Sequence, residues 1–211
     1  MQGVANKIKV PLLDRPLIVH TLAPFVRESS VAAIVLVVAA EEVADMRRIV
    51  AASGIDKVVA IIAGGATRQE SVRLGLASLP PECDLVAIHD GARPCLSQAS
   101  LCSVVEAAHK TGAALLAVSV KDTVKRVRCG VEVDTPDRSE LFLAQTPQVF
   151  RRDWIEGAHA QAREQGLQAT DDAALVTACG HKVAAVLGDY RNIKVTTPED
   201  LPLAELFLRM R

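Results

Sequence analysis

Residues 85–94 read Leu85-Val86-Ala87-Ile88-His89-Asp90-Gly91-Ala92-Arg93-Pro94. A short apolar run ends in His-Asp, then Gly-Ala, then Arg-Pro. The run reads as a buried strand bounded by turn residues. In an open α/β sheet, ligands bind in the crevice beyond the carboxyl ends of the strands. That edge would here carry a carboxylate and a guanidinium three residues apart. An aspartate there can hold a metal ion or a hydroxyl, and an arginine can grip phosphate with a planar fork of donors. On these ten residues alone a second reading stands beside the first: Asp90 as a turn former capping the next helix, Arg93 as a solvated charge.

Working outward, apolar strands alternate with helical patterns. Residues 16–28 have helical spacing, 33–38 are short and β-branched, and 41–52 form an amphipathic pattern closed by Gly54. A second strand at 57–62 leads into Gly64-Gly65-Ala66-Thr67-Arg68 and a helix over 69–79. The strand at 85–89 is followed by a helix from Ser97 to about Lys110 and a strand at 112–120. This alternation predicts an α/β domain with a largely parallel sheet. Residues 121–145 are polar and rich in Val, Thr and Asp, and they read as a hairpin or arm outside the main layers. A stretch of about 25 residues without core character is usually a functional or interaction element. Helical spacing returns at 152–165 and 171–178, and 182–187 and 193–195 read as strands. Thr197-Pro198-Glu199-Asp200 opens a last helix, with Thr as cap and Pro at the first helical position. The expected organisation is one domain over 1–211 with an arm at about 121–146.

Bulk properties exclude several classes. The chain has 211 residues, half of them apolar, which suffices to bury one core. A net charge of −1 gives no sign of a nucleic-acid groove or an anionic-membrane surface. No apolar run reaches the ~18 residues of a membrane-spanning helix. The N-terminal residues carry no apolar targeting region, so nothing argues for export. Five cysteines without CxxC spacing predict reduced thiols in a cytoplasmic protein. The five histidines lack paired spacing, which argues against a dedicated zinc site.

Several constellations carry chemistry, each with a plainer alternative. The Gly64–Arg68 turn lets backbone approach a ligand and opens a helix whose free N–H groups suit an anion, with Ser71 in its first turns. It is also an ordinary strand-to-helix turn, and it is neither a full GxGxxG nor a Walker pattern. Lys7 and Lys9 read equally as solvated lysines. Lys121-Asp122-Thr123 follows a strand, where Thr123 could bond a substrate or simply shape a turn. Arg138 is a surface charge on the arm, or a group that reaches another subunit's site. Thr146-Pro147-Gln148 reads as a stiff turn ending the arm. Thr170-Asp171-Asp172 reads as a capping group at a positive helix end. Lys194, flanked by Ile193 and Val195, is seldom idle in such a setting and reads as functional.

The ordered set GG-x-TRQESV, LV-x-IHDGARP, V-KDT-x-KR, D-R-x-x-L-x-x-x-QTPQ-x-F, TDD and DY-x-NIKVTTPEDL resembles the 2-C-methyl-D-erythritol 4-phosphate cytidylyltransferase family, over essentially the whole chain. The resemblance implies a Rossmann-like nucleotidyltransferase sheet flanked by helices, with a β-arm that pairs two subunits into a homodimer. It implies CMP transfer from CTP to the sugar-alcohol phosphate, with release of diphosphate and use of Mg²⁺. By the same resemblance Lys7, Arg138 and Lys194 are the catalytic cations, Lys7 being preferred to Lys9. Gly65 and Ser71 match nucleotide-binding positions. Asp90, Arg93, Thr123, Thr146 and Thr170 match positions on the acceptor side, with Asp90 also at the metal. Other polyol phosphates, such as ribitol 5-phosphate, are the nearest alternative acceptors.

The family's own pattern begins with a strand and an Ala-Ala-Gly-x-Gly-x-Arg-Met loop that wraps the CTP phosphates. The present sequence begins at what resembles the Met of that loop, so that strand, its glycines and its arginine are expected to be absent. A non-catalytic dimeric binding protein is the corresponding alternative.

Overall fold

The computed structural model describes residues 7–210. Met1, matched above to the loop methionine, lies outside them, as does Asn6 beside Lys7. A single helical turn at Lys7–Lys9 leads into a hairpin of β1 (Pro11–Leu12) and β2 (Arg15–Pro16), which opens α1 (Leu17–Arg27). The β-branched runs β3 (Ile34–Val38) and β4 (Val58–Ala63) pair in parallel, with α2 (Val43–Ala52) between them in sequence. Then come α3 (Arg68–Leu76), β5 (Leu85–Ile88), α4 (Gln98–Thr111) and β6 (Ala113–Ser119). A hairpin of β7 (Arg126–Arg128) and β8 (Val131–Asp134) precedes β9 (Phe142–Arg151). The chain closes with α5 (Arg152–Gln165), α6 (Asp172–Ala178), β10 (Ala184–Leu187) and α7 (Asp200–Arg209).

The larger sheet has the order β10-β6-β9-β5. β6 and β10 are parallel, whereas β9 runs antiparallel to both β5 and β6. The expectation of a largely parallel sheet is corrected here, because the connection from β6 to β9 is the hairpin arm. A parallel return needs a crossover, usually a helix, and the arm supplies none. Both β5 and β6 therefore run opposite to β9, and their carboxyl ends share one edge with that of β10.

Helices cover both faces. Neighbouring residues of β9 point oppositely, so Phe150 packs with Val86, Ile155, Ala158, Leu175 and Val176 on the α5–α6 face, while Val149 packs with Leu101, Val104, Ala114 and Leu116 on the α4 face. α1 bridges the two sheets: Ile18, Val19 and Leu22 join the core around β3 and α2, and Phe25 joins the α4 core. Gly112 ends α4 at φ +86°, and a Cβ there would meet the Trp154 ring at 2.4 Å, so only glycine fits this turn.

Three local expectations change. Thr146-Pro147-Gln148 is not a turn closing the arm but the buried centre of β9. Its proline falls where the β6–β9 register shifts, so the missing N–H interrupts no regular ladder. Residues 193–195 form no strand; Val195 N–H, donating to Ala92 O at 2.8 Å, is their backbone tie to the loop after β5. The last helix begins at Asp200 rather than Pro198. Asp200 Oδ2 accepts from the backbone of Thr196 and Thr197, folding residues 196–199 into a turn ahead of it.

Candidate active site

The site grows from the carboxyl end of β5. Asp90 sits just past that strand with its side chain 15% exposed. Three cations converge on it from three segments: Lys194 Nζ lies 3.0 Å from Oδ2, Arg93 Nε 3.4 Å from Oδ2, and Arg68 Nε 3.7 Å from Oδ1. Burial pushes the Asp90 carboxyl up, but Lys194, then Arg68 and Arg93, outweigh it and hold the group below the ordinary carboxylate value. The carboxylate is thus ionised and its surroundings carry an excess of positive charge, which suits a phosphate-bearing ligand.

Buried amides in β9 set this geometry. Asp90 N–H donates to Thr146 Oγ1 at 3.0 Å, and the same hydroxyl lies 3.0 Å from His89 Nδ1. Burial drives His89 down to about 4, so its ring is neutral near pH 7. Gln145 Nε2 donates to Asp189 O, and Asn192 Nδ2 donates to Gln145 Oε1 and Thr146 O. Arg93 Nη1 donates to Asn192 O at 2.7 Å. These bonds fix the segment that carries Lys194 against the Asp90–Arg93 turn. Gln148 reaches the other way: its Nε2 donates to Asp171 Oδ2 and its Oε1 accepts from Ala173 N–H, fixing the start of α6.

The other candidates take distinct places. Gly65 N–H donates to Ser71 Oγ, which donates to Thr67 O, so the Ser71 hydroxyl holds the loop before α3. A Cβ on Gly65 would lie 2.3 Å from Glu70 Cγ, so a larger residue there would have to displace the Glu70 side chain. The turn bearing Lys7 lies over the site loop, since Ile8 Cγ2 is within 3.8 Å of where a Gly91 Cβ would be. Lys9 instead pairs with Asp45 at 2.7 Å. Thr123 is exposed in the loop after β6, and Thr170 is exposed just before the α6 cap formed by Asp171. Arg138 is not joined to the Asp90 cluster within one chain: it is exposed near the arm's base, donating to Lys121 O at 2.9 Å.

Sequence reasoning missed Arg68 as a site residue, together with its second carboxylate partner, Asp172, 2.8 Å away. The available signal was an arginine directly after the Gly64–Thr67 turn, where a helix start faces the sheet edge. For a metal, no group of three or more His, Cys, Asp or Glu side chains is placed to hold an ion among the described residues. Asp90 alone offers a carboxylate, which fits Mg²⁺ held mainly by substrate phosphates and water.

The helix-flanked α/β sheet, with a carboxylate ringed by cations at its carboxyl edge, shares its architecture with solved cytidylyltransferases, which places it in the class of α/β nucleotidyltransferases. The sequence matches the family described as 2-C-methyl-D-erythritol 4-phosphate cytidylyltransferase (IspD) over residues 1–210, and the chain belongs to that family. It is 46% identical over 208 residues to the 2-C-methyl-D-erythritol 4-phosphate cytidylyltransferase of Desulforamulus reducens, covering 98% of this chain and 89% of that one. It is 48% identical over 210 residues to the enzyme of the same name from Syntrophotalea carbinolica, covering 99% and 90%. The crystal structure of 4-diphosphocytidyl-2C-methyl-D-erythritol synthase from Anaerococcus prevotii superposes with a TM-score of 0.90 at 29% identity, covering 98% and 94%.

Proposed function

We infer that this chain transfers CMP from CTP to 2-C-methyl-D-erythritol 4-phosphate, giving CDP-methylerythritol and diphosphate for non-mevalonate isoprenoid biosynthesis. The observation that carries this reading is the Asp90 cluster in a chain that matches the cytidylyltransferase family along its length.

In the reaction an oxygen of the acceptor's phosphate forms a bond to the α-phosphorus of CTP, and the bond from that phosphorus to the bridging oxygen breaks as diphosphate leaves. Two anions must meet, so positioning and charge neutralisation carry the catalysis. Lys194 and Arg93 are assigned to the acceptor phosphate, with Thr123 and Thr170 as further acceptor contacts. Lys7 is assigned to the α-phosphate, and Gly65 and Ser71 to the nucleotide. Thr146 acts through Asp90, whose N–H it holds. Mg²⁺ would be held by Asp90 and triphosphate oxygens, and when bound it offsets phosphate charge.

The arm is assigned to a homodimer. Its hairpin exposes Val127, Val131 and Val133, and Phe142 and Leu143 at the start of β9 are also exposed. Val131 and Val133 share one face of the hairpin and Val127 lies on the other, and a two-stranded hairpin with exposed valines is marginal until covered. A second copy packed there would deliver Arg138 to its partner's acceptor phosphate. Among the described residues no helix is long and apolar enough to cross a membrane. A reducing, cytoplasmic setting is part of this reading, resting on five cysteines without CxxC spacing.

The test is turnover with CTP and Mg²⁺ against two acceptors, followed by ³¹P NMR of the nucleotide product. Methylerythritol phosphate is expected to be the faster substrate. Faster turnover of ribitol 5-phosphate overturns the acceptor assignment, and CTP binding without transfer to either supports the non-catalytic alternative.

A further inference from the structure

Asp172 is 1% exposed, yet it is not the cap of its helix. That role belongs to Asp171, whose Oδ1 accepts from Ala174 N–H. Instead the Asp172 Oδ1 faces His159 Nε2 at 3.2 Å, and its Oδ2 meets Arg68 Nη1 at 2.8 Å. His159 is itself buried on α5. With Nε2 protonated, the imidazole donates to Oδ1 and leaves Oδ2 to the arginine. A carboxylate buried without a cation is strongly disfavoured, so Arg68 is the partner that permits this burial.

The Arg68 side chain is 40% exposed and flexible by nature. Here it is tied at both sides, to Asp172 through Nη1 and to Asp90 through Nε at 3.7 Å. It also begins α3, directly after the Gly64-Gly65 turn. One side chain thus spans from a buried carboxylate, across the nucleotide-side loop, to the residue at the heart of the acceptor cluster.

We propose that Asp172, oriented by His159, is a positioning residue that acts through Arg68 to set the Asp90 carboxylate for CMP transfer. Arg68 takes Oδ1 of Asp90, leaving Oδ2 to Lys194 and Arg93. Without that tie Asp90 can turn, and its Oδ2 no longer has a fixed direction towards the two acceptor-side cations. The proposal rests on the cytidylyltransferase reading.

The experiment is a double-mutant cycle of Arg68→Ala and Asp172→Asn, with kcat, both KM values and Tm measured for each variant. Each single change is expected to lower kcat by about 10-fold or more while both KM values stay within about 3-fold, and the double variant is expected to be no slower than Arg68→Ala. Losses that multiply, or a kcat unchanged while Tm falls, would overturn the positioning role. If Asp172→Asn or Arg68→Ala does not fold, Arg68→Lys decides, because it keeps a cation beside Asp172 but has one nitrogen for the two carboxylates; wild-type kcat there removes the proposal. A wild type that transfers no CMP fells the cytidylyltransferase reading instead, so the two failures are told apart.

Discussion

The Lys194 ammonium stands 3.0 Å from the Asp90 carboxylate although the two residues are 104 positions apart in the chain. Asp90 follows β5 and Lys194 follows β10, and both strands end at the same edge of the sheet. The pair exists because β9 lies between β5 and β6 and bonds to the loops beyond both ends through Gln145 and Thr146.

Removing the anion at the centre of the cluster has two opposed effects. Asp90→Asn is expected to lower kcat/KM by at least about 100-fold, as for loss of a group that orients reacting phosphates. Lys194 and Arg93 are then left without their carboxylate, and Arg68 keeps only Asp172. In metal-free buffer the variant is therefore expected to bind inorganic diphosphate more tightly than wild type. Calorimetry checks this; weaker binding would mean that Asp90 serves to hold the cations in place for the anion.

Arg138 lies away from the cluster in its own chain. If it serves the partner's site, Arg138→Ala and Lys194→Ala are each inactive alone, but mixing them restores activity. One hybrid site in each heterodimer then carries both wild-type residues. Separable tags would confirm that heterodimers form, and no recovery in their presence would place both residues in one subunit's site.

Gln148 uses both ends of its amide in the core, on Asp171 and on Ala173 N–H. Gln148→Met keeps the volume and strands both partners. The expected cost is about 2–3 kcal/mol in denaturant unfolding with an unchanged slope. Activity should fall too, since the start of α6 carries Thr170 and Asp172.

Cys102 Sγ donates to Glu28 Oε2 at 3.0 Å. The thiol is held above its ordinary value first by that bond, and Glu28 is held down to about 2, first by Cys102 and then by Ser30 and Gln98. Glu28→Gln is expected to speed alkylation of Cys102 near pH 8, read by mass spectrometry of the labelled peptide. The sign for stability follows from a depressed carboxyl: the contribution is complete above the ordinary 4.5 and is lost as pH falls through about 2. The Gln variant should lack that component of acid destabilisation.

The parts of this fold that rest on local pattern were legible from the residues. Ile-Val-Leu-Val-Val at 34–38 and the helical spacing over 16–28 each dictate their own element. That Asp90, Arg93 and Lys194 lie close together was only partly legible: each stands at or near an apolar run, but a turn former and a solvated charge fit Asp90 and Arg93 equally until the fold joins them to Lys194. The direction of β9 was not legible, since periodicity of two reports burial and carries no sense of direction. Gln145 read as the end of the arm and Gln148 as turn chemistry because their partners, Asn192 and Asp171, are distant in sequence. The Arg68–Asp172 contact, likewise, spans 104 positions and exists only once α3 and α6 meet.

The most direct test of the account is the initial rate of CMP transfer from CTP to methylerythritol phosphate by wild type and Lys194→Ala, with Tm measured for both. The account predicts diphosphate release that depends on the acceptor, and a loss of at least about 100-fold in kcat/KM with Tm unchanged. Equal rates for the two proteins would contradict it, making Lys194 a partner of Asp90 with no hand in the reaction.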